Sequence, residues 1–166
     1  MTNEKVNVEV INEASEVQEN LAVMPVSVED AVSAATLEVF NNPAANFFSS
    51  IPMNSSREEK VKLFNAINSS ENALIDYRGQ KLNITDMVAH PIKLPDMQTG
   101  EIKDLLRIVL IDTEANAYSC VSDGVANSLE KIIAIFGQAP WKPALTMTPK
   151  EIKTKAGFKV LTIELG

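Results

Sequence analysis

The sequence predicts a mainly β domain: a small five-stranded barrel with a helix between its third and fourth strands, preceded by a helical N-terminal extension. Two observations predict this fold class. Residues 81–165 contain segments in which apolar and polar residues alternate, which is the period of a half-buried strand. One stretch among them, residues 123–136, instead repeats its apolar residues at helical spacing. The predicted divisions are an acidic, disordered tail at 1–31, the helical extension at 32–73 and the barrel at 74–166.

Length and composition indicate a globular chain with one main domain. It has 166 residues, of which 45% are hydrophobic and 22% are charged, as in folded rather than disordered proteins. The longest apolar runs, such as 132–136, are far shorter than the ~18 residues that span a bilayer. The N-terminus lacks the pattern of a secretory signal, and Cys120 is the only cysteine. We therefore expect a cytoplasmic protein without an intramolecular disulfide.

Negative charge is concentrated in the first fifth of the chain. Residues 1–31 contain seven acidic residues and one basic residue, whereas residues 32–166 contain 15 acidic and 14 basic residues. The formal charge of −7 therefore comes almost entirely from the first segment. A low isoelectric point normally argues against a nucleic-acid partner, but that argument fails when the acids are segregated in this way. We expect the acidic segment to compete with DNA for basic groups of its own chain.

Two helices are predicted in the extension. Residues 31–40 carry Ala and larger apolar residues at helical spacing, and Asn41-Asn42-Pro43 ends this helix. A second helix follows Ser55-Ser56, because a hydroxyl followed three residues later by Glu is a capping-box signature, and it ends near Ser69. The residues expected on its packing face are Val61, Phe64, Ala66 and Ile67. Asn46–Ile51 is an apolar segment without a regular period.

The first three barrel strands follow from alternation and turn residues. The first strand slips phase near Asp86, as a β-bulge would produce, and the strand-like segment Leu74–Tyr77 would extend it. The second strand is strongly apolar and returns through a tight turn as a hairpin. The predicted strands are 81–90, 105–112 and 117–122, joined by a loop at 91–100 and a tight connection at 113–116.

A helix and a second hairpin complete the domain. Ser122 or Asp123 caps the helix, and Gly137 ends it in the position that favours glycine. The strand at 144–154 contains Pro149, which predicts an edge or a bulge there. After a turn at Lys155-Ala156-Gly157, the last strand alternates cleanly to Leu165.

The order of these elements is strand, strand, strand, helix, strand, strand. It matches the OB-fold, a five-stranded Greek-key barrel, in which the helix plugs one end. An SH3-like barrel would lack this helix, and a ferredoxin-like fold would place a helix directly after its first strand. The OB-fold is therefore the predicted fold class.

Four segments within residues 74–166 resemble single-stranded DNA-binding proteins of phages and mobile elements of Gram-positive bacteria. They are Tyr77–Leu82, Leu106–Ser122, Gly124–Gly137 and Lys155–Ile163. The resemblance implies a protein of the host cytoplasm that coats unwound DNA during replication, without sequence preference and without catalysis. Bacterial proteins of this function carry a C-terminal acidic tail that recruits partners, whereas the acidic segment here is N-terminal. The resemblance therefore implies single-stranded DNA and replication proteins as partners, but it does not assign recruitment of those proteins to this N-terminal segment.

Residue types for catalysis or metal binding are scarce. His90 and Cys120 are the only residues of their types, which is too few for a zinc site. We expect Cys120 to be a small buried thiol. The acid pairs Asp112/Glu114 and Asp96/Glu101 lie in predicted turns, where solvated loop ends are far more common than magnesium or glycosidase sites. We therefore expect no cofactor, no metal and no enzyme activity, and a hydrolase is only the third hypothesis.

The residues expected to bind a single DNA strand are those that stack on bases or contact phosphates. Five lysines accompany two glutamates over residues 142–166, and the loop within this hairpin is one of the usual ligand loops of the OB-fold. Lys93 and Lys103 lie on the other ligand loop. The candidates are Tyr77, Arg78, Lys93, Lys103, Arg107, Tyr118, Trp141, Lys142, Lys150, Lys153, Lys155, Phe158 and Lys159.

Several of these candidates have a structural alternative. Packing competes with stacking for the three rings Tyr118, Trp141 and Phe158. The lysines of the last hairpin could equally protect an exposed edge strand from aggregation. On the second strand, the face that carries Arg107, Val109 and Ile111 is the expected ligand side.

Two functions from different classes are therefore open. The first is a non-enzymatic, sequence-independent single-stranded DNA-binding protein that acts in replication or recombination of a phage or mobile element. The second is a protein-interaction module, such as a phage or plasmid accessory or virion component. The aromatic content of 5% and the overall acidity favour the second, and the apolar segment Asn46–Ile51 would be its docking surface. The preference for DNA over RNA and the oligomeric state do not follow from the sequence.

Overall fold

The computed structural model describes residues 48–52, 54–68 and 72–166. In chain order the elements are β1 (Phe48–Ser49), α1 (Arg57–Asn68), β2 (Asn72–Ala73), a 3-10 turn (Leu74–Tyr77), β3 (Leu82–Pro95), β4 (Ile102–Asp112), β5 (Ala117–Cys120), α2 (Asp123–Phe136), β6 (Leu145–Lys153) and β7 (Lys159–Leu165). The predicted acidic tail at 1–31 and the predicted helix at 31–40 lie outside the described residues.

The strands form one curled sheet, so the fold is a mainly β half-barrel with two helices, consistent with an OB-like fold. Neighbouring strands follow the order β2-β5-β4-β3-β6-β7, and β1 pairs with β3 off this path. The sequence predicted five strands, whereas the described residues form a seven-stranded sheet, because β1 and β2 add two-residue strands to it. Within this part of the chain no ladder joins β7 to β5, so hydrogen bonds between strands do not close the barrel.

Helix α2 covers the gap between β5 and β7. Its cap residue Ser122 accepts a hydrogen bond from the Val125 N–H and donates one to the Leu161 carbonyl, at 3.4 and 3.0 Å. One turn further on, the Ser128 hydroxyl lies 2.8 Å from Thr162 Oγ1 of β7. Both predicted caps are observed, since Gly137 follows the helix with a φ of 81°. Serine side chains thus occupy the edge of β7 that no strand pairs with.

A bulge bends strand β3. The register between β3 and β4 shifts between Ile84 and Asp86, which confirms the predicted phase slip. The Asp86 carboxylate accepts hydrogen bonds from the Ser50 and Thr85 hydroxyls, both at 2.9 Å. The bulge is therefore anchored to the segment that precedes α1.

The outer halves of β3 and β4 continue as a two-stranded ribbon. Residues 91–95 pair with 102–106, so the prediction of a loop at 91–100 is wrong for its first half. The Asp96 N–H donates to the Glu101 carbonyl at 2.7 Å, and alternation therefore turns the nitrogens of Pro91 and Pro95 away from β4, towards an edge where no described residue pairs with them. A proline at such a position costs no ladder bond, and it prevents another strand from pairing with that edge.

The chain enters β3 through a 3-10 turn, so the expectation that Leu74–Tyr77 extends the strand is wrong. Leu74 is fully buried in the core while the next two residues are both exposed, and a strand, whose side chains alternate between faces, would not produce this pattern. Gly79 then turns the chain with a φ of 78° and donates its N–H to the Pro149 carbonyl at 2.9 Å. Because the N–H and C=O of one strand residue point the same way, the missing N–H of Pro149 lies on the side away from β7. Pro149 therefore fits inside β6.

Buried side chains form two clusters on opposite faces of the sheet. The inner cluster includes Leu74, Ile84, Leu110, Val125, Leu129, Trp141 and Met147. The outer cluster lies between α1 and the sheet and contains Ile51, Leu63, Ala66, Val88, Val109 and Ile111. The predicted ligand side of the second strand is thus wrong at Val109 and Ile111, because both are fully buried beneath the extension.

Helix α1 begins with the predicted capping box. Ser56 N donates to Glu59 Oε2 at 3.1 Å, and Glu59 N donates to Ser56 Oγ at 3.3 Å. Leu63 and Ala66 are the buried residues of the helix. Val61 and Phe64 are 50% and 63% exposed, so the predicted packing face is only partly right. Phe64 follows Leu63 directly and therefore lies roughly 100° around the helix from it.

The described part of the apolar segment Asn46–Ile51 packs inward. Ile51 is buried in the outer cluster, and Phe48 is half-buried against the inner one. These residues therefore do not form the exposed docking surface that the second hypothesis expected. Within the described part of the chain, no helix is both long enough and apolar enough to cross a membrane.

Candidate nucleic-acid interface

The end of the β6–β7 hairpin carries three lysines and one exposed aromatic ring. Lys153 and Lys159 are ladder partners, and Lys155 lies in the turn between them. Phe158 is 71% exposed, and its N–H donates to Thr154 Oγ1 at 3.2 Å. We name Lys153, Lys155, Phe158 and Lys159 the hairpin tip. It places an exposed aromatic ring and three lysines within residues 153–159 of one hairpin end.

Arg78 joins the hairpin tip through a shared carboxylate. Arg78 Nη1 lies 3.0 Å from Glu151 Oε2, and Lys159 Nζ lies 3.0 Å from Glu151 Oε1. The hydrogen bond from Lys159, with a further contribution from Arg78, holds the pKa of Glu151 below its usual value. Two cations from distant parts of the chain therefore meet at one oxyanion.

A groove of about 460 Å³ lies between β5, the start of α2 and the start of β7. We name it the seam groove, and its walls are Ala73, Ile75, Ser119–Gly124 and Lys159–Leu161. Ile75 and Val121 present partly exposed apolar side chains, and Lys159 connects the groove to the hairpin tip. Burial raises the pKa of Cys120 in the wall to about 12, so this thiol is protonated at neutral pH, as a buried structural thiol would be.

Two of the predicted aromatic residues are buried in the core, and a third, Tyr77, is half-buried against it. Tyr118 is 5% exposed and donates its hydroxyl to Asp112 Oδ2 at 2.8 Å. Burial, followed by this hydrogen bond, raises the pKa of Tyr118 to about 12. Tyr77 packs edge-on against Tyr118, with ring centroids 4.7 Å apart. Trp141 is 4% exposed, and its Nε1 donates to the Gly137 carbonyl at 2.9 Å. The packing alternative therefore describes Tyr118 and Trp141, whose ring faces are not open to a base.

The β3–β4 ribbon carries balanced charge. Residues 90–107 contain three basic and three acidic residues. Lys93 lies 3.9 Å from Asp104, and Lys103 forms an ion pair with Asp96. Arg107 is half-buried opposite His90 in the ladder, and burial together with the charge of Arg107 lowers the pKa of His90. This ribbon therefore offers less net attraction to phosphate than the β6–β7 hairpin.

The remaining candidates lie away from the hairpin tip. Lys150 lies on the hairpin face opposite to Lys153 and Lys159 and forms an ion pair with Glu164. Lys142 precedes β6, at the far end of that strand from the tip. The structure brings together Arg78, Lys153, Lys155, Phe158 and Lys159. It does not place near this group the other basic candidates, which are Lys93, Lys103, Arg107, Lys142 and Lys150.

Two features of this region were missed by reasoning from the sequence. Glu151 counted only as one negative charge among lysines, although it links Arg78 to Lys159. Its position two residues before Lys153, on the same strand face, was the available signal. The seam groove had no sequence signal, because it exists only where β5 and β7 fail to pair.

A comparison with known families covers this whole region. A model of the phage single-stranded DNA-binding protein family matches residues 42–166, which is more than half of the chain. The chain belongs to this family. The match includes α1, β1 and β2 of this phage single-stranded DNA-binding protein, and so extends beyond the segments that resembled such proteins in the sequence. No match was found among curated proteins or among solved structures.

Membership settles the class of function. The protein is a single-stranded DNA-binding protein of a phage, and a role in DNA replication is typical of its family. The family consists of DNA-binding proteins and is generally non-enzymatic. The predicted function is thereby confirmed over the protein-interaction module.

Proposed function

We propose that the DNA strand binds along the seam groove and across the hairpin tip, without sequence preference. The observation that carries the proposal is the exposed ring of Phe158, which lies between Lys155 and Lys159 in the chain. Stacking on an aromatic ring contributes about 1–3 kcal/mol per base and is available to every base, while lysines neutralise phosphates of any sequence. Such contacts coat a strand rather than read it.

An OB-like arrangement supports this path. In the proposed barrel β3, β4, β5, β6 and β7 are the five strands, α2 joins the third to the fourth, and α1, β1 and β2 are additions. OB-folds bind oligonucleotides on the second and third strands and on two flanking loops, and the hairpin tip is one of those loops in this arrangement. Helix α1 lies over Val109 and Ile111 on the second strand, so we place the DNA nearer to β5 and the seam groove.

The wider assignment of the chain follows the same proposal. Residues 74–166 form the barrel, residues 32–73 are a helical extension that packs on it, and residues 1–31 are an acidic tail. The packing of Leu63 and Ala66 of α1 on β3 and β4 supports the role of the extension. We further propose that the protein acts without catalysis in the host cytoplasm and contacts other replication proteins on the DNA.

The proposal is tested by titrating a fluorescently labelled oligo(dT) with protein and measuring anisotropy. A label on the DNA is needed because Trp141 is buried and would report stacking poorly. We expect Phe158→Ala to weaken binding roughly tenfold at 50 mM salt, within the range for the loss of one stacked base. Replacing Lys153 or Lys155 with Ala should reduce the slope of log affinity against log salt by about 0.7 for each phosphate that the protein no longer neutralises.

Two matched controls accompany these variants. Phe64→Ala removes another exposed ring, on α1, and Lys150→Ala removes a lysine from the opposite face of the same hairpin. Both should bind nearly as well as the wild type. The proposal is wrong if Phe158→Ala binds normally, or if Phe64→Ala causes an equal loss.

A further inference from the structure

The Arg78–Glu151–Lys159 cluster has a geometry that stability does not explain. Each carboxylate oxygen of Glu151 contacts a different cation at 3.0 Å. The side chains of Arg78 and Lys159 are 49% and 72% exposed, and ion pairs at such exposure contribute little to folding. The cluster is therefore better suited to a role in binding than to a role in stability.

Backbone hydrogen bonds hold the two segments that carry Arg78 and Lys159 close to Glu151. Arg78 leaves the 3-10 turn immediately before Gly79, whose N–H is bound to the Pro149 carbonyl two residues before Glu151. Lys159 begins β7 as the ladder partner of Lys153, diagonally across from Glu151. The main chain at Arg78 and at Lys159 is thus held by hydrogen bonds that do not depend on the carboxylate.

Two cations held around an oxyanion form a site that a phosphate can occupy. A phosphodiester offers oxygen acceptors like those of a carboxylate, and guanidinium and ammonium groups bind both. Lys159 also lines the seam groove, so a phosphate at this point would lie beside the proposed path of the bases.

We infer that Arg78 and Lys159 form a backbone-phosphate site of the DNA strand, and that Glu151 occupies this site in the free protein. The inference rests on the proposed function, since the strand must pass the hairpin tip. Glu151 then competes with DNA for the two cations. It lowers affinity and offsets part of the local positive charge until a phosphate displaces it, which keeps this segment of the strand exchangeable.

Two charge-neutral isosteres separate this role from a general effect of charge. Glu151→Gln removes the competing carboxylate, whereas Glu164→Gln removes a carboxylate from the other face of the same hairpin, where it pairs with Lys150. Affinity for labelled oligo(dT) is measured for both variants from 50 to 300 mM salt. We expect Glu151→Gln to bind at least threefold more tightly than Glu164→Gln at 50 mM salt, with a steeper salt dependence. Adding Arg78→Ala or Lys159→Ala to Glu151→Gln should abolish the gain.

Three outcomes would overturn the inference. Equal affinities of the two isosteres would mean that only net charge matters, and weaker binding by Glu151→Gln would make Glu151 a positioning residue for the cations. A gain that survives removal of Arg78 and of Lys159 would place its origin elsewhere. The variant Phe158→Ala distinguishes this failure from failure of the proposed function. If Phe158→Ala weakens binding while Glu151→Gln and Glu164→Gln bind DNA with equal affinity, the proposed DNA path stands and only the role of Glu151 is wrong.

Discussion

Asp112 organises the β4–β5 turn through four donors to one buried carboxylate. Its Oδ1 accepts from Glu114 N and Asn116 N, and its Oδ2 accepts from Asn116 Nδ2 and the Tyr118 hydroxyl, all within 2.8–2.9 Å. Replacing Asp112 with Asn turns one acceptor into a donor that faces other donors. We expect a loss of about 1–3 kcal/mol in the free energy of unfolding, since buried groups lose their partners. Urea denaturation at pH 7 measures this loss.

The same carboxylate predicts a pH dependence. Burial alone would raise the pKa of Asp112, but the hydrogen bonds from Asn116, Tyr118 and Glu114 outweigh it and lower the pKa below the usual value. The unfolded chain therefore binds this proton at higher pH than the folded protein does. The stabilisation is fully present above about pH 4 and is lost as pH falls through the folded pKa. The stability gap between wild type and Asp112→Asn should thus shrink in acid, and a gap of constant size would contradict this account.

Ala115 in the same turn adopts a left-handed backbone conformation. Its φ is 69°, where a Cβ atom costs about 1–2 kcal/mol and glycine does not incur that cost. Ala115→Gly should therefore raise the free energy of unfolding by up to about 1 kcal/mol, after the larger entropy of an unfolded glycine is subtracted. The matched control is Ala156→Gly in an exposed turn of ordinary φ, which should be neutral or destabilising. Equal effects of the two substitutions on the urea midpoint would contradict the argument.

At single residues the sequence was a poor guide to where side chains point. Trp141 and Tyr118 were chemically suited to stacking, but both rings are buried, and their polar groups have partners there in the Gly137 carbonyl and the Asp112 carboxylate. Phe158 shows the reverse, because packing was an alternative for this ring too and the ring is exposed. Residue type alone does not determine whether an aromatic ring is buried or exposed, since burial depends on packing partners that are far apart in the chain.

Among the secondary-structure elements, α2 depends on one glycine for its contact with β7. A Cβ atom at Gly124 would overlap with the Leu161 carbonyl oxygen and with Val160 Cγ1. In an isolated helix alanine is favoured over glycine by about 1 kcal/mol, but here we expect Gly124→Ala to destabilise the protein by about 1–3 kcal/mol through overpacking. Because Gly124 and Val160 also line the seam groove, DNA affinity should fall as well.

Thermal unfolding of Gly124→Ala checks this expectation. Asn127→Ala is the matched control, because residue 127 is exposed on the same helix and the change to alanine favours the helix there. The control should be neutral or slightly stabilising, and its affinity for oligo(dT) should match the wild type. A stabilised Gly124→Ala protein would mean that α2 and β7 can separate at no cost.

Elements with local signals were predictable, and those defined by distant partners were not. The Ser56–Glu59 capping box, the Ser122 cap and Gly137 are local, and all three are observed. The course of the chain through Pro91 depends on which edge of β3 lacks a paired strand among the described residues, and this is a property of the sheet. The same reason explains the 3-10 turn at Leu74–Tyr77, where burial of Leu74 overrides a strand-like composition.

For the molecule as a whole, charge is distributed so that DNA attraction is local. The protein carries a formal charge of −7, yet residues 142–166 contain five lysines and two glutamates. We expect long-range repulsion from the acidic part to oppose the approach of DNA, and the proposed short-range contacts at the hairpin tip to favour it. Salt screens both, over a Debye length of about 10 Å at 0.1 M. The segregation of charge could be predicted from the sequence, because charged residues can be counted without knowing the fold. The face of the hairpin that carries the lysines could not be predicted, because it depends on how the strands pair.

This balance predicts that residues 1–31 weaken DNA binding. They contain seven acidic residues and one basic residue, so they repel phosphates and compete for the lysines of the same chain. Deleting residues 1–31 should tighten binding of labelled oligo(dT) several-fold at 50 mM salt, and the gain should vanish near 300 mM as screening increases. A full-length protein with these acids changed to Gln or Asn should reproduce the gain if charge is the cause. Unchanged affinity in both proteins would remove this role, and a gain from the deletion alone would assign the effect to bulk rather than charge.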